Sequence, residues 1–448
     1  MSRVDEKLGF GPSAILGFQH VAVMYGGAVI VPILIGKSVG LTGEQLIFLI
    51  SYDLFTCGIA TLIQALGVGK HLGIKLPALM AISFVVVGPA IAIGDIHGIT
   101  GIFGAVIASG IIVTILSQFA GKLVKYFPPI VTGSVVLVIG ITLMPVAMAN
   151  VAGGNGAPNF GSWQNLTAAA VTFGIFLLLN RYAKGFLKSV GVLIALVAGT
   201  IFASFLGLVD PTVVKEASWF TAIKPFHFGL PTFHLSAIIT MTLIGIIIMV
   251  ESTGVFFALG EVAEKKVTGE DVKKGLRAEG IAAVFSGIFN SFNHSTFSQN
   301  VGLVSLTKVV SRYVVATGGL ILVIVGLVPK IAALTTMIPA SVLGGAMIPM
   351  FGMLMATAIQ MILKDDISKS SNQLIIGVGV GLALACAGTP TAFENLPETA
   401  RLILETGPAV AAIATFALNW WLNGPSDHAE IKEERVAVES TRTTEHTA

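Results

Sequence analysis

The chain has 448 residues, of which 54% are hydrophobic and only 11% are charged, and its mean hydropathy is +0.89. A soluble domain carries about 25% charged residues, so a water-soluble fold is excluded and lipid must be the solvent. The net charge of +2, without a long basic run, argues against a nucleic-acid partner. Cys57 and Cys386 lie in apolar stretches, which predicts neither a disulfide nor a metal site.

Fourteen apolar segments follow one another along the chain, and about 20 apolar residues suffice to cross a bilayer as a helix. The first apolar run is too long for a signal peptide and has no small-residue cleavage site, so it predicts a span. The third and tenth segments are short. The predicted spans are 12–36, 43–66, 77–93, 98–119, 130–149, 165–181, 188–208, 234–258, 271–290, 295–308, 312–329, 338–362, 373–389 and 403–422.

The positions of Lys and Arg support this count, because cytoplasmic loops hold the excess of these residues. With fourteen spans and both termini inside, the inner loops hold 16 basic residues and the outer loops hold 5. The inner set is Lys70, Lys75, Lys122, Lys125, Arg181, Lys184, Lys188, Lys265, Lys266, Lys273, Lys274, Arg277, Lys308, Arg312, Lys364 and Lys369; the outer set is Lys37, Lys215, Lys224, Lys330 and Arg401.

An internal echo relates the two halves of the chain. Residues 127–134 (FPPIVTGS) resemble 338–345 (IPASVLGG) at an offset of 211, which also places the short third span onto the short tenth. Two halves of seven spans are implied, and an odd number of spans makes the second half inverted. Inverted repeats with interrupted helices at matching positions indicate the central site of a transporter, although Gly- and Pro-rich apolar segments can also resemble each other by chance.

Ionisable groups within the spans are costly and are therefore functional candidates. Glu251 follows six apolar residues and precedes several more, so a carboxyl that simply reaches the membrane surface is the weaker reading. His20 lies deep in the first span, where a structural hydrogen bond and a functional role are equally compatible with the sequence. Asp53, in the second span, is interpreted as a buried polar partner of another helix.

The segment 290–302 (NSFNHSTFSQNVG) is polar and uncharged at a depth where the topology requires membrane. Non-helical backbone is tolerated there only inside protein or beside a cavity. Ser, Thr and Phe favour extended structure, so 295–298 is predicted to pair with an extended piece at 81–84. The broken tenth helix would then present Gln299, Asn300 and free N–H donors to a cavity; an ordinary outer loop is the alternative.

Together these side chains suit a planar heterocycle edged with N–H and C=O groups. A carboxylate accepts hydrogen bonds, an amide both donates and accepts them, and Phe84 and Phe297 could lie on both faces of a flat ring. An inorganic anion fits poorly, because the sequence places no Lys or Arg at this depth.

Three separated motifs resemble those of the nucleobase–ascorbate, or nucleobase:cation symporter-2, transporters. Residues 299–308 (QNVGLVSLTK) resemble the family signature, Gln19-His20 resembles its first-helix pair, and 250–254 (VESTG) resembles its eighth-helix motif. The similarity extends from about Gly11 to Leu422 and is greatest to bacterial xanthine permeases.

The resemblance implies a core domain and a gate domain, with a homodimer formed through the gate. It implies core halves at 12–129 and 234–329 and gate halves at 130–233 and 330–422. The distribution of Lys and Arg predicts that the N-terminus (1–11) and the tail (423–448) are cytoplasmic. The charged, Thr-rich composition of the tail predicts disorder. The location implied is the bacterial inner membrane.

By the same resemblance, Glu251 and Gln299 bind the purine, and Ser83, Phe84, Phe297 and Ser298 complete the pocket. His20, Gln19 and Asn300 support it. In this family, uracil carriers have a Glu at the position that matches Gln299, whereas xanthine and urate carriers have Gln. Residues 251–260 and 296–302 look most like those of bacterial xanthine permeases, so xanthine is ranked modestly ahead of urate. Glu279 replaces the usual Asp of the ninth helix; it either takes part in proton coupling or pairs with Arg277 or Lys274.

The expected function is proton-coupled uptake of xanthine or uric acid by alternating access, with no cofactor or metal. A uracil permease and a sulfate or bicarbonate transporter of the same fold are the alternatives. A channel is a weaker one. An intramembrane enzyme is disfavoured because the chain has no HExxH, GxSxG or phosphate-loop motif.

Overall fold

The chain forms an all-α membrane protein, described here from a computed structural model that covers residues 3–120 and 127–424. Lys122, Lys125 and nearly all of the predicted tail lie outside the described residues. The helices are α1 Phe10–Ala28, α2 Ile30–Ser38, α3 Gly43–Leu66, α4 Val87–Leu116, α5 Pro129–Val151, α6 Trp163–Tyr182, α7 Phe186–Ser189, α8 Gly191–Phe205, α9 Thr212–Glu216, α10 Leu235–Val262, α11 Gly269–Ile288, α12 Gln299–Thr307, α13 Arg312–Gly326, α14 Pro329–Thr336, α15 Ala340–Ile362, α16 Ser370–Gly388, α17 Glu398–Glu405 and α18 Gly407–Asn423; the strands are β1 Met80–Ile82 and β2 His294–Thr296.

Within the described part of the chain, eight helical segments are long and apolar enough to cross a bilayer, and two bent helix pairs bring the number to ten. The bends are 82° between α13 and α14 and 88° between α17 and α18. Three further predicted spans fall on α8, α11 and α12, which are too short or too polar to meet the same criterion. The number fourteen therefore stays a prediction.

The third and fourth predicted spans are joined in α4. Thirty helical residues measure about 45 Å, whereas the hydrocarbon core is about 30 Å thick. Gly98 breaks the helix, since its φ of 67° is not helical, and divides α4 where the sequence predicted the loop between the two spans. The part before Gly98 is too short to cross the bilayer alone.

The inverted relation of the two halves is visible in α5 and α15, which begin at the two echo motifs. Their N-cap residues, Pro128 and Pro339, differ by the predicted 211 positions. A Cβ on Gly133, near the start of α5, would meet Ala358 and Ile362 at the end of α15. The two helices therefore run antiparallel, as copies of one motif inserted in opposite directions must.

Loops predicted to share one face of the membrane do contact each other. On one face, Arg312 pairs with Asp5 at 2.7 Å and donates to the Leu66 carbonyl, and Arg277 donates to the His71 carbonyl. On the other face, Lys330 Nζ donates to the Val214 carbonyl, and the Thr221 N–H donates to the Leu327 carbonyl.

Helix α13 packs against both α1 and α3 through glycine. Gly318 lies against Gly17 of α1, and Gly319 lies against Gly58 of α3. A Cβ on Gly58 would lie only 2.6 Å from the Gly319 carbonyl oxygen and 2.7 Å from the Val323 nitrogen. These backbones are in contact, which is how helices associate where lipid offers no hydrophobic driving force.

We expect Gly58→Leu to destabilise the folded protein by about 1–3 kcal/mol or more, because the side chain would force two backbones apart. The measurement is thermal unfolding of purified protein, together with the yield of monodisperse protein. Gly377→Leu is the matched control, since nothing lies within 4 Å of a Cβ there. Equal behaviour of the two variants would contradict the close packing.

Candidate functional site

Two short antiparallel strands, β1 and β2, interrupt the helices in the interior of the protein. Met80 pairs with Thr296 and Ile82 with His294. The ladder continues beyond the strands, because the Phe297 N–H donates to Leu79 O at 2.9 Å and the Ser83 N–H donates to Asn293 O at 3.1 Å. The paired extended segments predicted in the third and tenth spans are confirmed, one or two residues earlier than expected, and the outer-loop alternative is wrong.

All six predicted substrate-binding residues line one cavity beside these strands. The free space between their side chains is small, about 20 Å³, so the lining residues nearly fill the cavity. The lining comes from both predicted domains, since α5 and α15 contribute alongside the strands, α10 and α12. The residues are Ile82, Ser83, Phe84, Val85, Val136, Ile139, Glu251, Ser295, Phe297, Ser298, Gln299 and Leu354.

Glu251 is the acidic residue of this lining, and α10 carries it into the cavity. Its Oε2 atom is buried and has no hydrogen-bond partner among the described residues. A buried acceptor without a donor is costly. The geometry therefore leaves a place for a ligand N–H.

Helix α12 begins at the cavity, but its first two residues point in different directions. Gln299 is exposed to the cavity, and Ser298 Oγ donates to its Oε1 at 3.2 Å. Asn300 is buried and turns away, accepting a 2.6 Å hydrogen bond from His20 Nδ1. The expectation that Asn300 faces the cavity is wrong, since its amide links α12 to α1. The predicted free donors are also absent at Asn300 and Val301, whose N–H groups are bonded to the Phe297 and Ser298 carbonyls.

Glu279 lies behind the sheet on α11 and is buried. Its Oε1 accepts from both the Thr296 N–H, at 3.1 Å, and Thr296 Oγ1, at 2.7 Å. Of the two roles left open by the sequence, pairing with Arg277 or Lys274 is not formed among the described residues. The second carboxylate oxygen, Oε2, has no partner there, so the group combines a structural contact with an unsatisfied acceptor.

The aromatic side chains of the cavity contact different neighbours. Phe84 makes an edge contact with Phe351 of α15, with ring centroids 5.8 Å apart. The Phe297 ring lies beside Gly27 of α1. Gln19, predicted to support the site, is half-buried on α1, and its side chain forms no hydrogen bond with the residues that the structure describes.

A buried polar cluster lies on the side of β2 away from the cavity, and the sequence indicated only one member of it. Asp53 accepts a 2.5 Å hydrogen bond from Ser291 Oγ and lies 3.4 Å from His294 Nε2. Its partners are therefore in the strand segment rather than in another helix. Cys57, predicted to lack metal-site company, has Asp53 and His294 beside it, with potential ligand atoms within 4.8 Å of one another. An ionisable residue at membrane depth is the signal that could have marked His294.

Comparison with known proteins identifies the family of this chain. Residues 11–391 match the sequence model Xan_ur_permease, described as "Permease family". The chain belongs to this family. It is the nucleobase:cation symporter-2 family that the motifs resemble. The protein is a membrane permease and not an enzyme.

Two curated relatives cover almost the whole chain. Xanthine permease of Bacillus subtilis is 47% identical over 95% of this chain and 97% of its own. Uric acid permease PucK of the same organism is 46% identical over 90% of this chain and 94% of its own. Because the two sequence identities are nearly equal, they do not distinguish xanthine from uric acid as the cargo of this chain.

The fold itself extends to more distant proteins. The transmembrane domain of a cyanobacterium bicarbonate transporter, BicA, superimposes with a TM-score of 0.63 at 17% identity, covering 92% of this chain and 99% of that domain. At this identity the likeness concerns the fold alone.

Proposed function

We propose that this permease takes up xanthine or uric acid together with protons, by alternating access. The observation that carries the proposal is one cavity, in a chain of this family, lined by Glu251, Gln299, Phe84 and Phe297. The unpartnered Glu251 Oε2 can accept from a ring N–H, and the Gln299 amide can both donate to a carbonyl and accept from an N–H. The named cargoes of the relatives agree with this chemistry.

Xanthine ranks modestly ahead of uric acid on the resemblance of residues 251–260 and 296–302 to xanthine permeases. An inorganic anion is a poor fit, because the cavity lining includes a carboxylate and no Lys or Arg. The proton is the coupling ion, with Glu251 as its site. If the purine binds one protonation state of Glu251 preferentially, the affinities for purine and proton become linked.

Alternating access requires two bodies that move past each other, and the packing supports the core and gate assignment. Each of the most extensive helix–helix contacts joins two helices of the same proposed domain. Examples are α5 with α15 in the gate and α3 with α13 in the core. The cavity lies between the domains, since Val136, Ile139 and Leu354 belong to the gate. Rocking of the core against the gate would open the closed cavity to each side in turn.

We propose that both termini lie on the cytoplasmic side of a bacterial inner membrane. The loops on the face that holds Arg277 and Arg312 contain the excess of Lys and Arg residues, which is typical of cytoplasmic loops. A homodimer through the gate domain completes the proposal, on the strength of the family resemblance.

The test is uptake of labelled xanthine, urate, uracil and sulfate into cells that express the chain, compared with empty-vector cells. We expect xanthine and urate to accumulate and a protonophore to abolish the accumulation. Uptake of uracil or sulfate without either purine would overturn the assigned cargo. Purine accumulation that survives the protonophore would overturn proton coupling while leaving the cargo intact.

A further inference from the structure

A buried cluster behind β2 joins this strand to two helices. Ser286 Oγ of α11 lies 2.8 Å from His294 Nδ1, so the two groups share a hydrogen bond. The Ser286 hydroxyl also lies 2.7 Å from the Ala282 carbonyl, one turn earlier in the same helix. One ring nitrogen of His294 is therefore held by α11.

The other ring nitrogen, Nε2, faces α3. Asp53 Oδ1 lies 3.4 Å from it, and Thr56 Oγ1 lies 3.5 Å from it. Both ring nitrogens of His294 therefore have polar partners inside the protein, one on α11 and one on α3.

This pair acts on the strand that forms one wall of the cavity. His294 and Thr296 point away from the cavity, toward Asp53 and Glu279 respectively, whereas Ser295 between them lines it. Asp53 also holds Ser291 on the segment leading into β2. The strand is thereby held to α3 through His294 and to α11 through Thr296.

We propose that Asp53 and His294 are positioning residues, a buried polar pair that holds β2 and, through it, the residues 295–299 at the substrate cavity. Neither side chain lines the cavity. The inference rests on the proposed function in treating this cavity as the purine site. The position of the strand itself can be measured without any substrate.

The first measurement is amide hydrogen exchange of the purified full chain, read on peptides that cover 290–299. We expect His294→Ala to speed exchange there by about tenfold or more, because it removes the contacts of β2 with α3 and α11 and leaves buried polar groups without a partner. The double variant Asp53→Ala with His294→Ala should exchange more slowly than His294→Ala alone, since removing both partners of a buried pair costs less than removing one. Glu44→Ala, at the exposed start of α3, is the control and should leave exchange within about twofold of wild type.

The second measurement is the KM and Vmax of purine uptake, compared at equal amounts of transporter in the membrane. It separates an effect on the affinity for purine from an effect on the amount of functional protein. We expect His294→Ala to raise KM by about tenfold and the double variant to raise it less. Asp53→Asn keeps a neutral acceptor for Ser291, so it should change exchange and KM less than His294→Ala does, and it remains informative if His294→Ala does not fold.

Wild-type exchange and KM in His294→Ala would overturn the proposal, and so would single effects that simply add in the double variant. Failure of the wild-type chain to carry xanthine or urate would refute the proposed function instead, and the exchange measurement would still decide the role of the pair.

Discussion

Replacing Glu251 by Gln should abolish uphill accumulation of purine while leaving the protein in the membrane. The substitution preserves the size of the side chain but removes the titratable group of the cavity, so the cavity can no longer exchange a proton with each side. It also replaces a charge-assisted hydrogen bond, worth about 1.5–3 kcal/mol, by a neutral one, worth about 0.5–1.5 kcal/mol, so purine binding should weaken by roughly 5- to 10-fold. Uptake of labelled xanthine against its gradient and equilibrium binding to purified protein measure the two effects separately.

The matched control is Glu261→Gln, which makes the same change near the end of the same helix at an exposed position. It should accumulate purine as well as the wild-type chain does. Uphill uptake by Glu251→Gln at the wild-type level would remove Glu251 from the mechanism and leave the cavity without a proton site.

Replacing Glu279 by Ala should weaken purine binding by about tenfold, because the hydroxyl and the N–H of Thr296 would lose their carboxylate acceptor. The longer contacts to Met80 Sδ at 3.5 Å and Ser252 Oγ at 3.4 Å would remain. Glu279→Gln should bind purine within about threefold of wild type, since its amide oxygen can still accept from both Thr296 groups. Binding to purified protein measures this difference.

The same pair of variants decides the second role of Glu279. If Glu279 also carries a coupling proton, Glu279→Gln will bind purine but will not accumulate it. Glu270→Gln is the control, because Glu270 lies at the exposed start of the same helix, paired with Lys273 at 2.6 Å. Equal binding by Glu279→Ala and Glu279→Gln would contradict the contact with Thr296.

Much of the architecture could be predicted from the amino-acid sequence. The low charge predicted the membrane, and the echo at Pro128 and Pro339 predicted two antiparallel helices that the structure contains. The polar, uncharged segment at 290–302 predicted extended backbone at membrane depth, because unpaired backbone groups are not tolerated in lipid. These features depend on local composition and on strict constraints imposed by the bilayer.

The orientation of individual side chains could not be read in this way. Gln299 and Asn300 are adjacent polar amides, yet one faces the cavity and the other bonds to His20, which is 280 positions away along the chain. In a soluble helix an apolar stripe marks the buried face. In this chain the helices are apolar on nearly all sides, so the sequence does not distinguish faces that contact lipid from faces that contact protein.

The sequence by itself determined the membrane class, the interrupted third and tenth segments and the family to which the carboxylate and amide motifs belong. Only the tertiary structure decided that Glu279 holds Thr296 and that His294 meets Asp53 across 241 positions. Contacts between residues so far apart arise when the two inverted halves close on each other, and no local pattern in either half encodes their register.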